Sequence, residues 1–139
     1  MSEKKLIRIF QRRLNHDQLE YRINSTKEVI KELVKNEQWS SWITGVILFG
    51  STARGDSKTG SDVDLAILTK QVNYFGMDFR FITGNLMSDI SQIQNQLGKS
   101  NFKINPTIVP EPWLENPQES RISNPQVMEN IKREGVRIL

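Results

Sequence analysis

Residues 47–68 read ILFGSTARGDSKTGSDVDLAIL, and the fold turns on how this stretch is parsed. The run Val46-Ile47-Leu48-Phe49 is short, dense in apolar residues and closed by Gly50, which predicts a buried strand. Residues 50–61 hold Gly50, Gly55, Gly60 and five hydroxyl side chains, so they predict a loop with one or two helical turns after Ser51. DVDLAILT, residues 62–69, returns to strand character. Its alternation puts Asp62 and Asp64 on one face and Val63 and Leu65 on the other.

The same residues carry chemistry. Gly50 has no Cβ and lets another group approach the backbone, while Ser51 offers a hydroxyl and an amide N–H. Arg54, about one turn later, adds a fixed positive charge with the fork geometry that suits phosphate. Two carboxylates at Asp62 and Asp64, about 6–7 Å apart at their Cα atoms, repel unless a cation lies between them. Hard oxygen ligands of this kind suit Mg²⁺ or Mn²⁺ with phosphate oxygens completing the shell. If the two strands pair, the turn and the acids face each other across a gap the size of a triphosphate.

Outward from this centre, the chain alternates helices with strands. Leu6, Ile7, Phe10 and Leu14 predict an amphipathic helix from Lys4 to about Leu19. Ser25 with Glu28 has capping-box spacing, and Val29, Ile30, Leu33 and Val34 predict a second helix ending near Trp39. Trp39 and Trp42 are expected in the core. The aromatics Tyr74, Phe75, Phe79 and Phe81 suggest core or interface rather than a base-stacking platform, because Arg80 is the one basic residue among them. Leu86, Ile90, Ile93 and Leu97 predict a helix from about Asn85, stopped by Gly98. Phe102–Val109 predicts a strand that Pro106 confines to an edge or a bulge. Four prolines in residues 110–125 predict a surface excursion, and Pro125–Leu139 predicts a helix broken by Gly135. The class is α/β (α+β), a small mixed sheet flanked by helices.

A chain of 139 residues is about one domain long and can bury a core without staples. It contains no cysteine, which excludes disulfides, thiolate catalysis and cysteine-ligated zinc. Its single histidine, His16, lies in a charged stretch and is expected at the surface. No apolar run reaches the length of a signal sequence or a membrane span, so the expected location is cytoplasmic and no membrane partner is expected. Net charge is +3, and residues 1–40 supply all of it, with nine basic residues against six acidic ones. That asymmetry is a solvated helical face or, more sharply, a surface for nucleic acid or an acidic partner.

Gly50-Ser51, the ten-residue spacer Thr52–Ser61 and Asp62-Val63-Asp64 together resemble the signature of the nucleotidyltransferase superfamily typified by DNA polymerase beta, in its minimal bacterial form. INPTIV at 104–109 looks like its third core strand and NIKREG at 130–135 like its C-terminal helix ending. The resemblance covers residues 25–139 as the nucleotidyltransferase domain and leaves 1–24 as an N-terminal helical extension. It implies the nucleotidyltransferase fold and the transfer of a nucleoside monophosphate, AMP first among them, from ATP or another NTP. Gly50 and Ser51 would hold the β- and γ-phosphates, and Asp62 and Asp64 the catalytic metals. Arg54 is read as a phosphate or partner contact and Ser61 as support for the turn into the strand.

One departure stands out. The family usually places a third carboxylate on the strand corresponding to 102–109, where it completes the metal site and can serve as general base. Here FKINPTIV has no acid; Lys103 aligns with the expected position, and a register shift of two brings Asn101 or Asn105 there. Asp78, Asp89 and Glu111 are the nearest acids in sequence. Two functions follow from the resemblance. The first is a Mg²⁺-dependent enzyme that modifies a protein or small-molecule hydroxyl, in the manner of small family members that act as antitoxins paired with a helical HEPN-type toxin. The alternative is a catalytically weak or inactive form that works as a protein-binding module.

Overall fold

The computed structural model describes residues 12–70, 79–116 and 125–139. The elements run α1 (His16–Leu33), α2 (Glu37–Ser40), β1 (Ile43–Phe49), α3 (Ser51–Arg54), β2 (Val63–Thr69), α4 (Phe79–Gln96), β3 (Ile104–Pro110), α5 (Glu111–Glu115), α6 (Pro125–Glu134) and β4 (Val136–Arg137). The four strands form one sheet in the order β3-β2-β1-β4. β1 is antiparallel to both β2 and β4, whereas β2 and β3 are parallel, so the sheet is mixed as expected.

Strand alternation splits the core in two. Val63, Leu65 and Ile67 of β2 face a layer built from Ile30 and Leu33 of α1 and Ile82, Leu86 and Ile90 of α4. Ala66 and Leu68 face the other way, onto Met128 and Ile131 of α6. Asp64 shares the parity of Ala66 and Leu68 and therefore lies on the α6 side, at the end of the sheet where β2 begins. Phe49 packs on that side too and is paired directly with Asp64. Trp39 is fully buried and Trp42 nearly so, as the sequence suggests.

β3 is an edge strand, which lets Pro106 sit opposite Leu65 with its missing N–H on the unpaired side. The C-terminal helix stops at Glu134, and the apolar tail beyond Gly135 forms β4 against β1. α4 begins six residues earlier than the apolar spacing predicts, at Phe79 instead of Asn85.

The N-terminal half differs from expectation. A single helix spans His16–Leu33, capped by Asn15 in a reciprocal capping box with Gln18, and Ser25 lies inside it. The buried positions of α1 are Arg22, Ser25, Thr26, Val29, Ile30 and Leu33, an unbroken helical stripe whose first half is polar. Polar residues in core-facing positions hid the continuity. The helix runs without interruption through residues 24 and 25. The first part of the helix expected from Lys4, the aromatics Tyr74 and Phe75, and the middle of the proline-rich segment lie outside the described residues. Phe81 is exposed. His16 is also exposed and lies beside Glu20 at 3.6 Å. No described helix is long and apolar enough to cross a membrane.

Candidate active site

β1 delivers the chain to Gly50, whose backbone adopts φ 76° and ψ −155°. L-residues rarely adopt this conformation. A Cβ at Gly50 would also come within 2.5 Å of Asp64 Oδ2. Glycine is thus required twice over, by its dihedral and by the carboxylate pressed against it. The short helix α3 follows at Ser51 and ends at Gly55, whose φ is 82°.

The loop from Gly55 to Asp62 is stitched down from several sides. Ser57 is fully buried, and its hydroxyl lies 2.9 Å from that of Ser51 and 3.0 Å from that of Thr52. Ser61 Oγ accepts the Lys58 N–H at 3.0 Å, which fixes the turn immediately before Asp62. From upstream, the Leu14 N–H donates to Ser57 O, and the Thr59 N–H donates to Arg12 O. The Arg22 guanidinium donates to the carbonyls of Ser61 at 2.8 Å and Thr59 at 2.9 Å while resting over the Phe102 ring. Burial lowers the Arg22 pKa, and the neighbouring Asp62 charge raises it.

These constraints bring all six residues singled out in the sequence, Gly50, Ser51, Arg54, Ser61, Asp62 and Asp64, to the border of one open cavity of about 450 Å³. That volume is within the range of small-ligand sites. α6 closes the cavity from the far side with Val127, Asn130 and Glu134. Partial burial pushes the Asp64 carboxyl above the ordinary carboxylate range; the hydrogen bond from Asn105 opposes this, and the charge of Asp62 adds to it.

Among the described residues, three acids border the cavity against one cation, Arg54. A polyphosphate would meet net repulsion there unless a cation came with it. Asp62 and Asp64 suit Mg²⁺, which is commonly held by one or two carboxylates together with substrate phosphates. Among the described residues no group of three carboxylate or imidazole side chains is arranged to hold a metal. The residues therefore fit a cation shared with the ligand, not a cage supplied by the protein alone.

On the third strand an amide, Asn105, stands opposite Asp64 where β3 pairs with β2, and its Nδ2 donates to Asp64 Oδ1 at 3.4 Å. Lys103, the residue aligned with the expected acid, precedes the strand and is exposed. The other acids considered are engaged elsewhere: Asp89 accepts from Trp39 Nε1 at 2.7 Å, and Glu111 accepts from the Thr44 hydroxyl at 2.6 Å. Asp78 is outside the described residues.

Two site residues were not apparent from the sequence. Arg22 carries no local signal of burial. Glu134 does carry one: an acid in the last turn of a helix opposes the helix dipole, where Lys132 and Arg133 belong. Its compensation is the Gly50 N–H, which donates to Glu134 Oε1 at 3.1 Å. Arg54 Nη1 adds contacts at 3.1 and 3.3 Å to the two carboxylate oxygens, and this hydrogen bond is the main cause of the raised Arg54 pKa.

The sequence profile of the nucleotidyltransferase domain matches residues 26–132, so the chain belongs to that family, a family of transferases. Among solved structures it is similar to a protein from Sulfolobus solfataricus given a provisional nucleotidyltransferase assignment, at 19% identity and a TM-score of 0.49. The match covers 86% of this chain and 80% of that one. No curated protein matches the sequence significantly.

Proposed function

We propose that the chain moves a nucleoside monophosphate, AMP in the first instance, from a nucleoside triphosphate to a hydroxyl of a protein or small molecule. The family supports this, and one observation carries it: the Gly50-Ser51 turn and the Asp62/Asp64 pair border the same cavity. In this reading Gly50 and Ser51 hold the β- and γ-phosphates, Arg54 adds a charged contact, and Ser61 keeps the loop in place. Asp62 and Asp64 hold Mg²⁺ or Mn²⁺. When bound, the cation neutralises phosphate charge and stabilises the oxygens of an in-line displacement. The acceptor oxygen attacks the α-phosphorus, the bond to the bridging oxygen breaks, and pyrophosphate leaves. The chain's own contribution is orientation: a turn that fixes the phosphate tail relative to the acids.

The cavity is open, and in this reading another molecule presents the acceptor to it. A helical HEPN-type protein in the cytoplasm is our preferred partner, by family analogy. Incubation with ATP labelled at the α-phosphate, Mg²⁺ and candidate acceptors tests the reading. Transfer of label is expected, and Asp62→Asn combined with Asp64→Asn should abolish it. Label that persists in the double variant overturns the assignment of the acids.

A second reading is a weakly catalytic or inactive domain that binds a partner protein. Asn105 favours it, because the residue opposite Asp64 cannot accept a proton as a carboxylate would. It predicts unchanged partner binding in the double variant and no label transfer by the parent protein. Nucleic-acid binding rests on the basic N-terminal segment alone; there, a salt-dependent shift should vanish when the exposed Arg12 and Arg13 are neutralised.

A further inference from the structure

We propose that Glu134 is an internal anion occupying the phosphate contacts of this site, so that an incoming triphosphate must displace it. The inference rests on the nucleotidyl-transfer reading and adds a competition to it. The Gly50 N–H and the Arg54 guanidinium are the donors which that reading gives to phosphate oxygens, and both point at the Glu134 carboxylate.

A carboxylate satisfies these donors as a phosphate does, through charge-assisted hydrogen bonds from the Gly50 N–H and from Arg54 Nη1, while Arg54 Nε faces Asp56 at 3.4 Å. The Glu134 side chain is only 14% exposed, so it occupies the cavity wall and not a wandering surface position. A glutamate has three side-chain torsions, and their rotation can free both donors without moving the backbone of α6. The site is thereby held closed to weakly binding anions and opened by a ligand with several phosphate oxygens and its own cation.

The test is calorimetric titration of the full chain with two probes, Mg·ATP and magnesium tripolyphosphate. Glu134→Ala and Glu134→Gln should each bind both probes about three- to tenfold more tightly than the parent, with alanine giving the larger gain. In an Arg54→Gln background the gain should shrink to less than about twofold, because half of the competition is then gone. In the unaltered protein, the side-chain carboxyl ¹³C resonance of Glu134 should shift on saturation with magnesium tripolyphosphate. Equal or weaker binding by the folded variants, or a static resonance while the probe binds, overturns the competition and leaves the nucleotidyl-transfer reading standing. Failure of the parent and both variants to bind either probe overturns both.

Discussion

Asn105 is paired with Asp64 across the parallel β2–β3 ladder and donates to its carboxylate at 3.4 Å. An amide therefore stands directly beside the Asp64 carboxylate on the neighbouring strand. Asn105→Asp would put a proton acceptor there, beside the two existing acids. We expect label transfer from α-labelled ATP to rise by about tenfold or more at saturating Mg²⁺, since a positioned base contributes about 10²–10⁴ in rate. An unchanged rate would mean that proton removal does not limit this protein.

The Asp64 carboxyl has a folded-state pKa above its ordinary value, chiefly because it is partly buried. A group of this kind supports the fold fully below its unfolded pKa, and the support is lost as pH rises through the folded value. Asp64→Asn should therefore match the parent in melting temperature near pH 3.5 and exceed it by a few degrees at pH 7. Thermal unfolding without metal across that range checks the sign. A variant less stable at pH 7 than the parent would contradict it.

Gly50→Ala puts a Cβ within 2.5 Å of Asp64 Oδ2 at a backbone φ of 76°. Strained dihedrals of this type cost about 1–3 kcal/mol, and the displaced carboxylate adds a functional loss. Urea unfolding should report a destabilisation in that range, and Mg·ATP binding should fall below detection in the folded fraction. By contrast, Gly55→Ala meets no atom within 4 Å and should retain binding, with only the dihedral cost.

Arg22 holds the carbonyls of Thr59 and Ser61 from within α1. Arg22→Met leaves both acceptors without that partner and should destabilise the protein by about 2–3 kcal/mol. Arg22→Lys should recover less than half of this, because an ammonium cannot reproduce the two-pronged geometry. Denaturant unfolding measures both. Full recovery by lysine would show that charge near Asp62, and not the fork, is what the loop needs.

The strand-loop-strand unit at 46–69 could be read in advance because each of its signals is local: an apolar run, a glycine where the chain turns, and acids spaced two apart. Trp39, Trp42 and the edge position of Pro106 followed from the same kind of reasoning. What escaped was non-local or disguised. The core stripe of α1 uses Arg22, Ser25 and Thr26 where apolar residues were expected, so a continuous helix read as two. The register of β3 was open because its side chains repeat every two residues, and only pairing distinguishes Lys103 from Asn105. Glu134 reaches Gly50 across 84 positions of sequence; its place in the last turn of α6 marks it as unusual, but nothing local identifies its partner.

The residues that hold the site are distributed unevenly along the chain. The stretch 26–132 that the family shares contains the turn and the acids, yet Leu14 and Arg22 lie before it and Glu134 lies after it. A chimera that transplanted only the shared stretch into a relative would inherit the reactive groups without the clamp on their loop or the plug in their pocket. A boundary drawn by shared sequence and one drawn by physical support thus need not coincide in this protein.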